Sequence, residues 1–216
     1  MILNNKEEIL QSIKANKIVA IIRTDSYEKA EKSAVAIIEG GIKVLEFSYT
    51  MKFVNSLIKE LTDRYKATDI LIGAGTVLDP ETARNAYDSG SKFIISPYLN
   101  LETAKMCLRY RIPYIPGAMT VKETADCMEA GADIVKVFPS ELFGPAIIKA
   151  IKGPLPQACL MPTGGVNIEN IDAWLDAGSE AVGIGRNLFK TADQGDFDSI
   201  KLLAQKYVNK IAEYGA

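Results

Sequence analysis

The chain has 216 residues, of which 48% are hydrophobic and 24% charged, and its net charge is -2 at pH 7. This length and composition are typical of one globular core, so we expect a single domain over residues 1–216. A slightly negative chain has no general attraction for nucleic acid, so we expect no nucleic-acid partner.

The chain begins with a predicted helix from Asn4 to Ala15. The N-terminal stretch that contains this helix, "MILNNKEEILQSIKANK" from Met1, has acidic residues and no uninterrupted apolar run. We therefore expect neither a signal peptide nor a membrane anchor. No later apolar run reaches the roughly 20 residues that a spanning helix needs. The three cysteines are odd in number and widely spaced, which favours free thiols and a cytoplasmic location.

Short β-branched runs follow this helix at a spacing of roughly 20 to 26 residues, the period of a βα unit. Amphipathic stretches lie between them, and four of these end in glycine, as helix C-caps often do. The runs are "KIVAII" from Lys17, "KVLEF" from Lys43, "DILIGAG" from Asp69, "KFIIS" from Lys92, "IPYIPG" from Ile112, "DIVKVF" from Asp133, "ACLMPTGG" from Ala158 and "EAVGIG" from Glu180.

Eight such units predict an α/β fold, a closed (β/α)8 TIM barrel with an extra N-terminal helix. The stretch "DFDSIKLLAQKYVNKIAEY" is the predicted last helix. A doubly wound open sheet is the alternative for the same alternation. In a barrel the chemistry sits where the strands end, so polar residues at those ends are the candidates.

The sixth run, "DIVKVFP", contains one lysine among buried positions. The strand period of two places Ile134, Lys136 and Phe138 on one face. Burial favours the neutral amine, which attacks carbonyl carbon and forms a Schiff base. The alternative is a structural lysine that pairs with a buried carboxylate or extends out of the strand end.

The second run, "KVLEFSYT", also carries one ionisable residue, because Val44, Glu46 and Ser48 share a face. A lysine and a carboxylate that meet across the barrel mouth are the two groups needed to make or break a carbon–carbon bond beside a ketone. A purely structural role for Glu46 is the alternative. The chain has no histidine, which excludes Ser-His-Asp and Cys-His mechanisms and removes the commonest zinc ligand.

Glycine-rich turns follow the last two runs, at Pro162 to Gly165 and at Gly183 to Asn187. Barrels often bind phosphate with backbone N–H groups of these two loops, and Arg186 adds a charged donor. The alternative is that the glycines only form tight turns. Arg23 ends the first run and either binds a carboxylate or phosphate or pairs with an acid such as Glu46.

Taken in order, these motifs resemble the 2-keto-3-deoxy-6-phosphogluconate aldolases, also described as 4-hydroxy-2-oxoglutarate aldolases. The resemblance implies a class I aldolase on a barrel, usually a homotrimer, without metal or cofactor, that releases pyruvate and glyceraldehyde 3-phosphate, or glyoxylate from the unphosphorylated substrate. The motifs are "IIR", "VLEFSYT", "IGAGTVLDPETA", "FIISP", "IPYIPGAMT", "KVFPSELFG" and "MPTGGV".

The resemblance also implies roles for individual residues. Lys136 would form the Schiff base, and Glu46 would be the general acid and base. The substrate-binding residues would be Arg23, Thr76, Pro97, Phe138 and Thr163, and the phosphate-binding residues would be Gly164, Gly165, Gly185 and Arg186.

Two positions depart from the family pattern. Thr50 stands where many members have arginine, and Arg186 replaces a common serine. Both changes leave the lysine chemistry intact and bear on the substrate, so a 2-keto-3-deoxy-6-phosphogalactonate aldolase is an alternative. More distant alternatives are a phosphosugar epimerase or isomerase and a non-catalytic phosphometabolite-binding barrel.

Overall fold

The computed structural model describes residues 5–215. Strands and helices alternate along the chain. The strands are β1 Ile18–Ile22, β2 Val44–Ser48, β3 Leu71–Gly75, β4 Ile94–Ile95, β5 Tyr114–Ile115, β6 Gly117–Ala118, β7 Val135–Val137, β8 Leu160–Pro162 and β9 Val182–Ile184. The helices are α1 Lys6–Asn16, α2 Tyr27–Glu39, α3 Val54–Tyr65, α4 Pro80–Asp88, α5 Leu101–Tyr110, α6 Val121–Glu129, α7 Ala146–Lys152, α8 Ile171–Asp176, α9 Arg186–Phe189 and α10 Phe197–Tyr214, with 3₁₀ turns at Ser140–Leu142 and Lys190–Gln194.

Local chemistry accounts for these elements. Every residue of the strands is buried, as expected for parallel strands that are covered on both faces. Several helices begin at a residue whose side chain accepts a hydrogen bond from a first-turn N–H, which satisfies a donor that the helix leaves free. These N-caps are Asn5, Ser26, Asp79, Asn100, Thr120 and Asp196.

The strands form two parallel sheets. The larger has the order β5-β4-β3-β2-β1-β9, and the smaller has the order β6-β7-β8. Neighbours follow the chain order without the reversal of a doubly wound sheet, so that alternative is wrong. The fold is an α/β fold with a curled parallel sheet, as predicted at this coarser level.

All eight predicted runs contain strands of the structure, but the fifth is divided. Pro116 separates β5 from β6. The carbonyl of Pro116 accepts from the N–H of Lys136 at 2.9 Å, so the chain pairs with β7 at the point where it leaves β4. Proline has no N–H to donate to a ladder, which explains the break between the two short strands.

A buried apolar cluster on the inner face of the strands fixes which side chains point inward. It combines three residues of α1 with one or two from most strands, so α1 covers one end of the inner space. Because Val44 and Ile134 belong to it, the strand period also directs Glu46 and Lys136 inward. Its members are Ile9, Leu10, Ile13, Val19, Val44, Leu71, Phe93, Ile95, Ile115, Ile134, Met161 and Ala181.

The structure shows Cys107, Cys127 and Cys159 as free thiols. Burial raises the pKa of Cys107 and of Cys127 to about 12, which makes both thiols unreactive. Among residues 5–215, no helix combines the length and apolarity needed to cross a membrane.

Gly117 provides a test of how the two sheets meet. It pairs with Lys136, and a Cβ at this position would lie 2.1 Å from the carbonyl oxygen of Pro97. We expect Gly117→Ala to lower the free energy of unfolding by about 1–3 kcal/mol because the backbone must shift. Urea unfolding followed by circular dichroism measures this.

Gly153→Ala is the matched control, because a Cβ there would be 3.5 Å from its nearest neighbour and its φ is -52°. We expect this control to keep the stability of the original protein. Equal stability of the two variants would contradict the close approach at Gly117.

Candidate active site

A cavity of about 940 Å³ opens where the strands end. Its walls include the ends or following loops of β1, β2, β3, β7, β8 and β9. Every residue that the sequence nominated lines this one cavity, namely Arg23, Glu46, Thr76, Pro97, Lys136, Phe138, Thr163, Gly164, Gly165, Gly185 and Arg186. The structure therefore brings together candidates from seven strands or the loops that follow them, while their individual roles stay predictions.

Lys136 and Glu46 face each other inside the cavity. The Lys136 Nζ lies 4.0 Å from Glu46 Oε1, and the two side chains are 7% and 1% exposed. The ammonium also lies 5.1 Å from the ring centroid of Phe138, within the range of a cation–π contact. The other carboxylate oxygen, Oε2, is buried and makes no hydrogen bond within the described chain. Glu46 Oε2 is therefore a buried acceptor that the described chain leaves unsatisfied, which is uncommon in folded proteins and marks a candidate functional group.

The position of the Glu46 carboxylate depends on a glycine. Gly75 pairs with Ser48 in the neighbouring strand, and a Cβ on Gly75 would lie 1.6 Å from Glu46 Oε1. Any other residue at 75 would occupy the space of the carboxylate. The "GAG" of the third run thus serves close packing as well as the turn that follows it.

Burial raises the pKa of the Glu46 carboxyl group, because a carboxylate inside the protein loses its water. Lys136 opposes this rise most strongly, and Arg23 opposes it less. A raised pKa makes the carboxylate a stronger base and keeps the carboxyl group protonated to a higher pH than in an exposed glutamate. Glu46 therefore has the electrostatic surroundings of a proton shuttle.

Arg23 lines another part of the cavity wall and contacts a network of hydroxyl groups. Arg23 Nη2 donates to Thr76 Oγ1 at 3.3 Å, and Thr76 has a positive φ of 56°. Ser48 Oγ lies 2.9 Å from Thr76 Oγ1 and 3.0 Å from Thr50 Oγ1. Arg23 thus pairs with a hydroxyl and not with an acid. Thr50, the residue at the family's arginine position, is exposed, joins this hydroxyl network through Ser48 and does not line the cavity.

The turns after β8 and β9 form the opposite wall. Gly164 and Gly165 have φ values of 106° and 73°, which other residues rarely adopt, so the glycines are required by the turn. The Arg186 side chain is 82% exposed and its guanidinium lies 3.9 Å from Asp193 Oδ2. An exposed cation beside the backbone N–H groups of a glycine turn suits an anionic end of a ligand.

The sequence did not nominate several charged residues that also line the cavity. These are Asp25, Glu141, Lys190 and Asp193. Two of them lie on the 3₁₀ turn that follows α9, and a short extra helix after the last strand is a common phosphate-binding feature of barrels. In the sequence, this short extra helix corresponds to the stretch "NLFKTADQGD" after the eighth run.

The part of the chain that the structure describes contains no candidate metal site. No group of three or more Cys, Asp or Glu side chains is placed to hold an ion there. The groups that the cavity offers a ligand are therefore basic and acidic side chains, hydroxyls and backbone amides.

Comparison with known proteins relates the chain to enzymes. A family model described as "KDPG and KHG aldolase" matches residues 9–203. The 2-dehydro-3-deoxy-6-phosphogalactonate aldolase of Escherichia coli K12 is 34% identical, over 80% of this chain and 84% of the relative. The 2-dehydro-3-deoxy-phosphogluconate aldolase of Treponema pallidum is 30% identical over 92% and 95%. The KHG/KDPG aldolase of E. coli K12 is 33% identical over 88% and 90%.

Solved structures give the same relation. The KDPG aldolase of Legionella pneumophila, with pyruvate captured as a covalent carbinolamine intermediate, superposes with a TM-score of 0.83 at 29% identity, covering 90% of this chain and 95% of that one. A cube-shaped protein cage designed by fusing symmetric oligomeric domains gives 0.85 at 32% identity, covering 92% and 73%.

Replacing Lys136 tests the electrostatic coupling inside the cavity. We expect Lys136→Met to raise the pKa of Glu46 further, because the variant loses the largest charge that favours the carboxylate. Carbon-13 NMR of protein with labelled glutamate carboxyl groups follows the titration.

Lys152→Met is the control, since Lys152 Nζ lies 3.9 Å from Glu180 in a more exposed pair. It should leave the titration of Glu46 as it is. An unchanged Glu46 titration in Lys136→Met would show that the two groups are not coupled.

Proposed function

The chain belongs to the KDPG and KHG aldolase family and is an aldolase, a carbon–carbon lyase, and we propose that its reaction passes through a Schiff base on Lys136. The proposed substrates are 2-keto-3-deoxy-6-phosphogluconate, cleaved to pyruvate and glyceraldehyde 3-phosphate, and 4-hydroxy-2-oxoglutarate, cleaved to pyruvate and glyoxylate. The buried Lys136–Glu46 pair, with 4.0 Å between Nζ and Oε1, carries the proposal.

In the first half of the proposed mechanism, the neutral amine of Lys136 attacks the C2 ketone and forms a carbinolamine. Glu46 donates a proton to the departing hydroxyl group, water leaves, and a protonated imine remains. The raised pKa of Glu46 supports this step, because burial favours the protonated form of the carboxyl group. The carbinolamine in the L. pneumophila relative is the corresponding intermediate of that enzyme.

In the second half, the Glu46 carboxylate takes the proton of the C4 hydroxyl group, directly or through water. The C3–C4 bond breaks, its electron pair moves toward the iminium nitrogen, and the aldehyde leaves. The resulting enamine takes a proton at C3, and hydrolysis releases pyruvate and the free lysine. Two observations on Glu46 support this role: the residue lines the cavity, and its Oε2 is not engaged by another donor in the described chain.

The carboxylate of the keto acid would bind at the Arg23 side of the cavity. Arg23 and Thr76 are hydrogen-bonded and both line it, whereas Thr50 is hydrogen-bonded to Ser48 and does not line it. Arg23 would thus provide the guanidinium that a carboxylate needs. Pro97 and Phe138 would bound the pocket on its apolar sides, and Thr163 would contact the substrate from β8.

The phosphate would bind between the two glycine turns, at Gly164, Gly165, Gly185 and Arg186. Gly185 leaves room for a close approach, because a Cβ there would have no neighbour within 4 Å. A galactonate-derived substrate is the second candidate, since the E. coli phosphogalactonate aldolase is 34% identical to this chain. The two phosphorylated substrates differ in the configuration of one hydroxyl group.

We further propose that the two sheets form one (β/α)8 barrel in a single domain over residues 1–216. Two connections support closure. Thr163 and Gly183 form a parallel bridge between the ends of β8 and β9, and only Pro116 separates β5 from β6. Helix α1 would be the extra N-terminal helix, since it precedes β1 and packs at the end of the inner cluster.

A cytoplasmic homotrimer is the proposed form of the enzyme. Leu78, Tyr98 and Leu101 are apolar side chains between 44% and 57% exposed. They lie close together, since Tyr98 Oη donates to the Leu78 carbonyl oxygen at 3.0 Å, and such a patch favours contact with another subunit. The related designed cage was built from symmetric oligomeric domains. Three free cysteines favour a reducing compartment.

Borohydride trapping tests the proposed lysine. Reduction in the presence of pyruvate should leave a stable pyruvate adduct on Lys136, located by peptide mass mapping, because borohydride reduces the imine to an amine. Lys136→Arg should give no adduct, whereas Lys152→Arg should give the same adduct as the original protein. Folded protein without an adduct on Lys136 would favour a phosphate-binding barrel without aldolase chemistry.

Replacing Glu46 tests the proton shuttle. Glu46→Gln keeps the side-chain volume and removes the titratable group, so kcat for cleavage should fall by about 10²–10⁴-fold. Release of pyruvate, coupled to lactate dehydrogenase, measures the rate. Glu180→Gln, at an exposed pair with Lys152, should keep the original kcat. A Glu46→Gln enzyme with the original kcat would assign proton transfer to another group.

A further inference from the structure

We infer that Ser140 and Asn170 are positioning residues that turn two backbone N–H groups toward the anionic end of the substrate. The inference rests on the proposed function, because it takes that anion to be the phosphate. Both residues act on the turn after β8 from outside the cavity, since neither lines it.

The turn is held by its carbonyl groups. Ser140 Oγ donates to the carbonyl oxygen of Gly164 at 2.7 Å, and Asn170 Nδ2 donates to that of Gly165 at 2.9 Å. The following carbonyl, of Val166, accepts from the side-chain amide of another residue at 3.0 Å. Three successive carbonyl groups are therefore each bound by a polar side chain. The third donor is Asn187, in α9.

The peptide geometry fixes where the N–H groups point. Within one planar trans peptide, the N–H points opposite to the C=O. The carbonyls of Gly164 and Gly165 point toward Ser140 and Asn170, so the N–H groups of Gly165 and Val166 point the other way. Gly165 and Val166 line the cavity, and their N–H groups have no hydrogen-bond acceptor within residues 5–215.

Two adjacent, unpaired N–H groups in a turn make a concave anion site. The positive φ values of Gly164 and Gly165 produce this curvature. A phosphate oxygen is the acceptor that such amides bind best, because hydrogen bonds to a charged group are short and strong. The site thus selects a phosphorylated substrate over one that has no phosphate.

Each positioning residue makes a second contact that holds it in place. The N–H of Ser140 donates to the Thr163 carbonyl oxygen at 3.0 Å, and Ser140 is fully buried. Asn170 Oδ1 accepts from the N–H of Asn167 at 2.9 Å. Ser140 lies only four residues after Lys136, so it ties the loop after the lysine strand to the anion-binding turn.

The charges around the turn are mixed. A Cβ on Gly164 would lie 1.7 Å from Glu141 Oε2, so a carboxylate rests against the turn and disfavours an anion there. Arg186 and Lys190 line the same cavity, and so do Asp25 and Asp193. With acidic and basic groups side by side, the directed N–H groups supply the selective contact.

Steady-state kinetics of Ser140→Ala and Asn170→Ala test the inference. For 2-keto-3-deoxy-6-phosphogluconate, each variant should raise KM about tenfold with little change in kcat. The reason is that the N–H groups of Gly165 and Val166 lose their orientation and bind the charged phosphate less well. For 2-keto-3-deoxygluconate, the same keto acid without its phosphate, KM should stay the same. A purely structural role would change both substrates alike.

The chain offers matched controls. Ser33 is a buried serine whose hydroxyl has no hydrogen-bond partner in the described chain, so Ser33→Ala removes the same atom elsewhere. Asn100 caps α5, accepts from the Thr103 N–H and donates to the Leu78 carbonyl oxygen, yet does not line the cavity. Ser33→Ala and Asn100→Ala should leave both KM values unchanged.

Calorimetry with glycerol 3-phosphate separates this inference from the proposed reaction. The ligand should bind about tenfold more weakly to Ser140→Ala and Asn170→Ala than to Ser33→Ala, even if borohydride leaves no pyruvate on Lys136. Thermal unfolding shows whether each variant folds. If Ser140→Ala does not fold, binding by Asn170→Ala alone tests the inference. Equal binding by folded Asn170→Ala and the original protein, or no binding by the original protein, would overturn the inference.

Discussion

Two opposite charges buried against each other are the constraint on which this site depends. Lys136 and Glu46 are almost without water, and the attraction between their charges offsets part of the cost of burying the Glu46 carboxylate. They come from different sheets, since β2 belongs to the six-stranded sheet and β7 to the three-stranded one. The distance between the two charges is therefore set by how the two sheets meet, and not by either strand alone.

Glycines on the inner wall make room for this arrangement. Gly75 leaves space for the Glu46 carboxylate, and Gly183 leaves space for Thr163, whose Oγ1 would lie 2.3 Å from a Cβ. Below them, side chains of α1 fill the other end of the inner space. One end is thus packed with apolar atoms and the other is left open with polar ones, which is the division that a buried reaction site needs.

Neutral hydrogen bonds organise the rim of the cavity more than ion pairs do. Hydroxyls of Ser48, Thr50 and Thr76 form one network beside Arg23. Side chains from three separate elements bind the carbonyls of the turn after β8. Groups held in this way are already oriented before a ligand arrives, so binding does not have to order them.

The amino-acid sequence by itself determined the α/β character, the order of the strands and which residues reach the cavity. Strand periodicity decides which side chains point inward, and parallel strands all end on one side, so Arg23, Glu46, Lys136 and the two glycine turns had to meet. Only the tertiary structure decided the break at Pro116, the division into two sheets and the parts played by Ser140 and Asn170. These depend on hydrogen bonds between segments far apart in the chain, such as Ser140 to Gly164, and no local pattern encodes such partners.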